Sequence, residues 1–271
     1  MTVQLRVAAR DALELATPSA KIEAVAALQR RAMESALTIN SAVELRAPDL
    51  PGQPPHLVLV HPARVPRRRL GTLAGRAALI HALAHIEFNA VNLALDAVVR
   101  FANLPRAYYF DWLHVAAEEA HHFSLLVAHL ATLGAAYGDF PVHGGLWEAA
   151  TKTRDDVLAR MALVPRILEA RGLDVTPALQ QRLAAVHDHA AVAILETVLR
   201  DEIGHVAIGN RWYEYLCAER GLDPMAAFPR LCTEYGIKPP HPPFNDEARQ
   251  AAGFSALELA QMRQRAESEV R

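Results

Sequence analysis

The sequence of 271 residues lacks the features that define several protein classes. It has only two cysteines, Cys217 and Cys232, which form neither a disulfide framework nor a zinc-ligand spacing, so a reduced, cytoplasmic setting is expected. Aromatic residues make up only 6%, and this scarcity, with abundant alanine and leucine, favours helices over sheet. The net charge of −2 gives no global argument for binding to nucleic acid or membrane.

Long uncharged apolar runs are also missing. No stretch of about 18 such residues occurs, which predicts that no segment spans a bilayer. The first stretch, MTVQLRVAARDALELA, carries charges where a signal peptide has its apolar core. The length is sufficient for one large domain with extensions and a sizeable core. These absences predict a soluble cytoplasmic protein.

Two short stretches are near copies of one another. Glu119 and His122 form a Glu-x-x-His inside DWLHVAAEEAHHFSLL, and Glu202 and His205 form a second one inside ILETVLRDEIGHVAIG. Residues three apart on an α-helix point the same way, so each pair directs a carboxylate and an imidazole to one side. Each copy therefore offers two metal ligands from one helix.

A further in-phase glutamate precedes each copy at nearly the same separation. Glu87 lies in HALAHIEFNAVNLALD and Glu169 in MALVPRILEARGLD. Four helices that supply Glu, Glu-x-x-His, Glu and Glu-x-x-His form the ligand set of carboxylate-bridged two-metal sites in ferritin-like bundles. The predicted fold is thus all-α, with a ferritin-like four-helix bundle over residues 73–220. N-terminal helices with a proline-rich arm (1–72) and a C-terminal arm with a short helix (221–271) complete one structural domain.

Helical phase distinguishes neighbouring histidines. Measured from Glu119, His122 lies within the apolar stripe, whereas His121 projects about 160° away. We therefore expect His122 to face the core and His121 to face outward. Glu118 lies at the border of the stripe, where it could contact a ligand.

His81 and His85 have a tempting spacing on the predicted helix of Glu87. On the helical wheel they lie about 120° to 160° from that glutamate, outside the apolar stripe. We expect them to hydrogen-bond the N-terminal arm or to reach the surface, rather than to bind the metal.

Periodicity and breakers predict the bounds of the helices. Pro165 lies inside a helical pattern and predicts a kink or bulge one turn before Glu169. Gly172 is predicted to end that helix, and Thr176-Pro177 to begin the next. The predicted helices cover about 3–16, 18–45, 73–101, 106–134, 146–171 and 176–220, with a short amphipathic helix from about 255.

The proline-rich segment APDLPGQPPHLVLVHPARVPRRR is incompatible with helix and predicts an extended arm over the bundle. It ends in a basic cluster, Arg64, Arg67, Arg68 and Arg69. This cluster could hold an anionic ligand, or it could be a solvated arm with salt bridges to the bundle, which is the usual meaning of such charge runs.

Carboxylate oxygen and imidazole nitrogen together suit first-row transition metals, so the expected cofactor is two Fe ions, with Mn as the alternative. In the usual layout Glu119 and Glu202 bridge the metals and Glu87 and Glu169 are terminal. A metal-free polar core is the competing interpretation. The predicted metal ligands are Glu87, Glu119, His122, Glu169, Glu202 and His205.

These motifs also carry a family resemblance. The stretches around Glu87, Glu119, Glu169 and Glu202, the entry VPRRRLG and the tail GIKPPHPPFN resemble bacterial ferritin-like proteins of unassigned function, known as domain of unknown function 455. The resemblance covers nearly the whole chain. The family is similar, at greater distance, to the non-haem diiron monooxygenase that hydroxylates a modified tRNA base. The resemblance implies the fold and a metal site, but no substrate.

Two classes of function are compatible with such a site. One is an O₂-dependent oxidase or monooxygenase, which requires a small-molecule substrate, O₂ and an electron donor as partners. The other is a non-catalytic ferritin-like protein that binds or stores metal. The extra helices and arms indicate a discrete, covered site and favour the enzyme. The single basic run is too short to indicate nucleic-acid binding, and a homodimer is left open as the assembly.

Overall fold

A computed structural model describes residues 2–65 and 68–269. The described chain is predominantly helical, which confirms the predicted all-α class. It packs as two compact units, Met1–Trp147 and Glu148–Arg271.

The first unit contains the elements β1 (Val3–Gln4), α1 (Leu5–Glu14), α2 (Pro18–Met33), β2 (Leu37–Thr38), a 3₁₀ turn (Pro62–Arg64), α3 (Leu73–Arg100) and α4 (Arg106–Thr132), and the start of α5 (Gly145–Lys152). The two strands pair in parallel, with Val3 opposite Leu37. Helices α3 and α4 pack along each other, α1 lies against α3, and α2 lies against α4.

Helices α3 and α4 begin and end within two residues of the predicted bounds, which confirms that prediction. Thr72 caps α3 by accepting a hydrogen bond from the N–H of Gly75. Asn103, with a φ of 59°, turns the chain, and Pro105 precedes α4. Within the described residues, only α3 is long and apolar enough to cross a membrane, but 72% of its most apolar window is buried inside the protein. It therefore has the character of a helix in the protein core.

Helix α2 is much shorter than predicted, because it ends at Met33 instead of continuing to about 45. Ser35 has a φ of 55°, and the chain then enters β2. The next residues are held by the buried guanidinium of Arg6, which donates to the carbonyls of Asn40, Ser41 and Val43. A helix through this segment would use those carbonyls internally, so the long-range contact with Arg6 overrides the local periodicity.

The proline-rich arm is irregular and extended, as predicted. Its Gly52 donates its N–H to the carbonyl of Leu13, and a Cβ at Gly52 would lie 2.2 Å from the carbonyl oxygen of Glu14. Further along, Val60 donates to the carbonyl of Val142 across an isolated bridge. The arm is thus anchored within the first unit. Arg67 of the predicted basic cluster lies outside the described residues.

The second unit continues from α5 with α6 (Val157–Leu163), a π-helical turn (Val164–Glu169), α7 (Ala170–Ala184), α8 (His189–Glu219), α9 (Pro224–Glu234), α10 (Asp246–Ala251) and α11 (Ala256–Glu269). Helices α6 and α7 and the π-turn all pack against α8. The predicted bulge at Pro165 is confirmed, because this proline lies in the π-turn.

Three predictions about helices in this part of the chain are wrong. The helix predicted over about 146–171 is divided, because α5 ends at Lys152 and α6 begins at Val157, after its N-cap Asp156. Gly172 does not end a helix, and Thr176-Pro177 does not begin one, since α7 runs through both to Ala184. A proline inside a helix leaves the carbonyl four residues earlier without its usual donor. Here that carbonyl belongs to Leu173 and accepts a hydrogen bond from the side chain of Asn245, at 3.2 Å. Asn245 thereby replaces the hydrogen-bond donor that Pro177 lacks, and the helix continues through the proline. Helix α8 begins later, after its N-cap Asp188.

The C-terminal segment is more ordered than predicted. Helices α9 and α10 precede the expected final helix, which begins at Ala256. Arg249 on α10 is fully buried and pairs with both carboxylate oxygens of Asp174 on α7, at 2.9 and 2.8 Å. This bidentate pair fixes the tail to α7.

Candidate metal centre

In the first unit, Glu87, Glu119 and His122 come together in the core. Glu87 is 5% exposed, and Glu119 and His122 are fully buried. The Nδ1 atom of His122 lies 3.3 Å from Oε2 of Glu87 and 3.4 Å from Oε2 of Glu119. One ligand atom from each residue lies within 4.8 Å of the others, which is close enough to hold a metal ion. The structure therefore contains a buried Glu/His group that could bind a metal.

The protonation of His122 follows from the two carboxylates. Burial alone would lower the pKa of this imidazole, but hydrogen bonds and charges from Glu119 and Glu87 outweigh it and raise the pKa to about 11. The imidazolium thus serves as the cation between two buried carboxylates when no metal is bound. A metal would take over that role, since imidazole binds metals only after it loses its proton.

Helical phase placed the histidines of α4 correctly. His121 is exposed and His122 is buried, as the wheel centred on Glu119 predicts. Glu118 lies 3.5 Å from Nε2 of His114 on the helix surface.

Replacement of each neighbouring histidine tests this assignment. We expect His122→Ala to remove the metal held by Glu87 and Glu119, because the only nitrogen ligand of that group is lost. His121→Ala should leave metal occupancy unchanged, since this side chain is exposed. Metal content per chain, measured after reconstitution and desalting, provides the comparison. Equal loss in both variants would contradict the assignment.

The second unit contributes the other three predicted ligands. On α8, Nδ1 of His205 lies 3.6 Å from Oε2 of Glu202, and both residues are buried. Glu169 is the last residue of the π-turn, which packs against α8. Its Oε2 atom is buried. The Glu-x-x-His pair thus has the same local geometry as its copy on α4.

The π-turn approaches α8 closely because one residue of α8 is a glycine. A Cβ at Gly209 would lie 2.2 Å from Cβ of Pro165 and 2.5 Å from its Cγ. Arg166, next in the turn, donates to Oδ1 of Asn210 at 2.7 Å and to Oε1 of Glu258 at 2.7 Å. Sequence reasoning assigned no role to Arg166 or Gly209. The sequence feature that could have indicated their role is Pro165, because a proline inside a helix distorts it and neighbouring residues must accommodate the distortion.

Both His81 and His85 are buried, and among the described residues neither hydrogen-bonds the N-terminal arm, so the prediction that they would bind the arm or reach the surface is wrong. Nε2 of His81 accepts the N–H of Gly138, and His85 lies 2.8 Å from the hydroxyl of Tyr137 and 3.2 Å from the carbonyl of His143. Their partners thus belong to the crossover after α4. The wheel showed correctly that they point away from Glu87, but it could not show what lies on that side.

The buried His81 predicts a loss of stability at acidic pH. Burial lowers its pKa to about 4, so between pH 6.5 and 4 the unfolded chain binds one more proton at this residue than the folded chain. The free energy of unfolding should therefore fall as pH falls through this window, by about 1.4 kcal/mol per pH unit from this residue.

His81→Gln should reduce that dependence. Glutamine can still accept the N–H of Gly138 but cannot take up a proton. Urea unfolding at pH 7 and pH 5 compares wild type, His81→Gln and the exposed control His121→Gln. An identical pH dependence in wild type and His81→Gln would contradict the prediction.

Comparisons with known proteins identify a family without assigning an activity. A family model described as "Protein of unknown function (DUF455)" matches residues 14–260. An uncharacterized protein of Haemophilus influenzae is 53% identical over 209 residues, which cover 74% of this chain and 73% of that protein. No solved structure matches.

Proposed function

The chain belongs to the DUF455 family of proteins of unknown function, and from this premise we propose that it is a ferritin-like protein with a dinuclear, diiron centre. The observation that carries the proposal is the buried group of Glu87, Glu119 and His122. Even with His122 protonated, the two buried carboxylates leave the group with a negative charge, which is costly unless a further cation compensates it.

The proposed centre has two equivalent halves. Glu87, Glu119 and His122 would hold one metal, and Glu169, Glu202 and His205 the other. The repeated sequence pattern supports this, as does the matching Glu–His geometry on α4 and α8, with separations of 3.4 and 3.6 Å. Glu119 and Glu202, from the two Glu-x-x-His pairs, would be ligands of this centre, as in carboxylate sites of helix bundles.

The proposed activity is that of an O₂-dependent oxidase or monooxygenase. When a pair of Fe(II) ions is bound, it supplies the electrons that reduce O₂. The chain's own contribution is a buried ligand set that excludes water, and His122, which holds a proton at Nδ1 until metal binds. The proposed partners are a small-molecule substrate and an electron donor in the cytoplasm. Mn is the alternative metal.

Reconstitution with Fe(II) under anaerobic conditions tests the proposal. Binding should saturate near two Fe per chain, and addition of O₂ should change the absorbance rapidly, with O₂ uptake in proportion to the bound iron. A storage protein would instead continue to take up iron in air far beyond two ions per chain. Wild-type protein that binds no Fe(II) would refute the metal site and, with it, the oxidase.

A further inference from the structure

The π-turn that carries Glu169 is fixed by contacts that the proposed chemistry does not use. Arg166 has a side chain only 3% exposed, which is rare for a guanidinium, and it lies three residues before Glu169. Its two terminal nitrogens donate to Asn210 on α8 and Glu258 on α11. The turn is therefore bound both to the helix of the Glu-x-x-His pair and to the C-terminal helix.

Aromatic rings enclose the same guanidinium. Its Cζ atom lies 4.4 Å from the ring centroid of Tyr213, 4.9 Å from that of Phe254 and 5.1 Å from that of Phe228. Such stacking on several rings holds a planar guanidinium in one orientation. A lysine could replace one hydrogen bond but not this planar packing.

The charge of Arg166 is also neutralised locally. Glu258 is held in its ionised form, because hydrogen bonds from Ser255 and the charge of Arg166 lower its pKa against the opposing effect of burial. A buried cation near a metal would otherwise oppose metal binding. With Glu258 paired, Arg166 can fix the turn without adding net positive charge.

We infer that Arg166 is a positioning residue for Glu169: with Gly209 it fixes the π-turn on α8, and through Glu258 the C-terminal helix α11 sets the affinity of the second metal position. The inference rests on the proposed dinuclear site. It concerns only the half formed by Glu169, Glu202 and His205. The half in the first unit should not depend on it.

Titration with Mn(II), followed by EPR, and anaerobic titration with Fe(II) test this inference. In Arg166→Met the first position should retain its affinity, while the second should weaken about 10- to 100-fold, as is usual when a partner behind a ligand is lost. The EPR spectrum should then show isolated Mn(II) in place of a coupled pair. Arg166→Lys should restore part of the affinity, and Glu258→Gln should cause a smaller loss.

Gly209→Ala is an independent perturbation, since its new Cβ would push Pro165 and the turn away from α8. It should weaken the second position as Arg166→Met does, and it carries the test if Arg166→Met does not fold. Gly204→Ala is its control on the same helix, because a Cβ there meets nothing within 4 Å. Arg263→Met is the control for α11, since it removes an ion pair with Asp246 that does not involve the turn.

The outcomes separate the two proposals. Suppose that the wild-type protein binds two metals and that Arg166→Met and Gly209→Ala bind both at full affinity. This result would overturn the inference about Arg166 but not the proposed function. Equal weakening of both positions would also overturn it, because it would show a general loss of stability. If the wild-type protein binds no metal, the proposed function fails first and the inference fails with it.

Discussion

Glu119→Gln should remove most of the metal-induced stabilisation of this protein while leaving the metal-free form at least as stable as wild type. Glutamine preserves the shape of the side chain but removes one charge from a fully buried carboxylate pair. Glu87 remains 3.3 Å from Nδ1 of His122, so the imidazolium keeps one partner. The variant therefore loses one carboxylate of the group that could hold the metal, but it also loses a like-charge repulsion.

The size of the effect follows from linkage. Metal that binds only the folded state stabilises it by about 4 kcal/mol at a thousand times Kd, which corresponds to a rise of about 10 °C in Tm for wild type. Glu119→Gln should show little of this rise. Thermal melts with chelator and with Fe(II) or Mn(II), without oxygen, provide the measurement.

Glu118→Gln is the matched control for this prediction. It changes the neighbouring residue in the same way, but Glu118 pairs with His114 on the surface of α4. Its metal response should equal that of wild type. A glutamate with only a structural role at position 119 would instead give a variant less stable than wild type both with and without metal.

Arg6→Met should destabilise the first unit by about 3 kcal/mol or more, because buried carbonyls would lose their donor. The guanidinium is fully buried and donates to the carbonyls of Val98 and Val99 at 3.2 and 2.8 Å, at the C-terminal end of α3. It also binds the segment that follows α2. Methionine fills a similar volume but supplies no hydrogen bond.

Urea unfolding of Arg6→Met and Arg10→Met measures this effect. Arg10 lies on the same helix, but it is partly exposed and pairs only with its neighbour Asp11 among its described contacts. Its replacement should change the free energy of unfolding by less than about 0.5 kcal/mol. Similar stabilities for the two variants would show that Arg6 does not hold the end of α3.

The parts of the structure that could be predicted are those that local periodicity determines. Helices α3 and α4 have long apolar stripes, so their bounds and the inward direction of Glu87, Glu119 and His122 followed from helical phase. The bulge at Pro165 followed from the covalent structure of proline, which lacks the donor that an α-helix requires.

Three of the errors share one physical cause, because each concerns a polar group whose partner is distant in sequence. The end of α2 depends on Arg6, and the continuation of α7 through Pro177 depends on Asn245. The partners of His81 and His85 lie in the crossover, more than fifty residues away. The helix propensity of a short segment contains no information about such distant contacts, and these tertiary contacts override it.

The π-turn makes the length of this segment as important as its composition. A π-turn accommodates one residue more than the α-helical turn it replaces. Deletion of a single residue between 164 and 168 would allow an ordinary α-helix that still directs Glu169 to the same side, because the extra residue of a π-turn is absorbed within the turn. In an alignment of related chains, a one-residue gap at this place would therefore mark proteins that keep the direction of the glutamate but lack the π-turn that packs against α8.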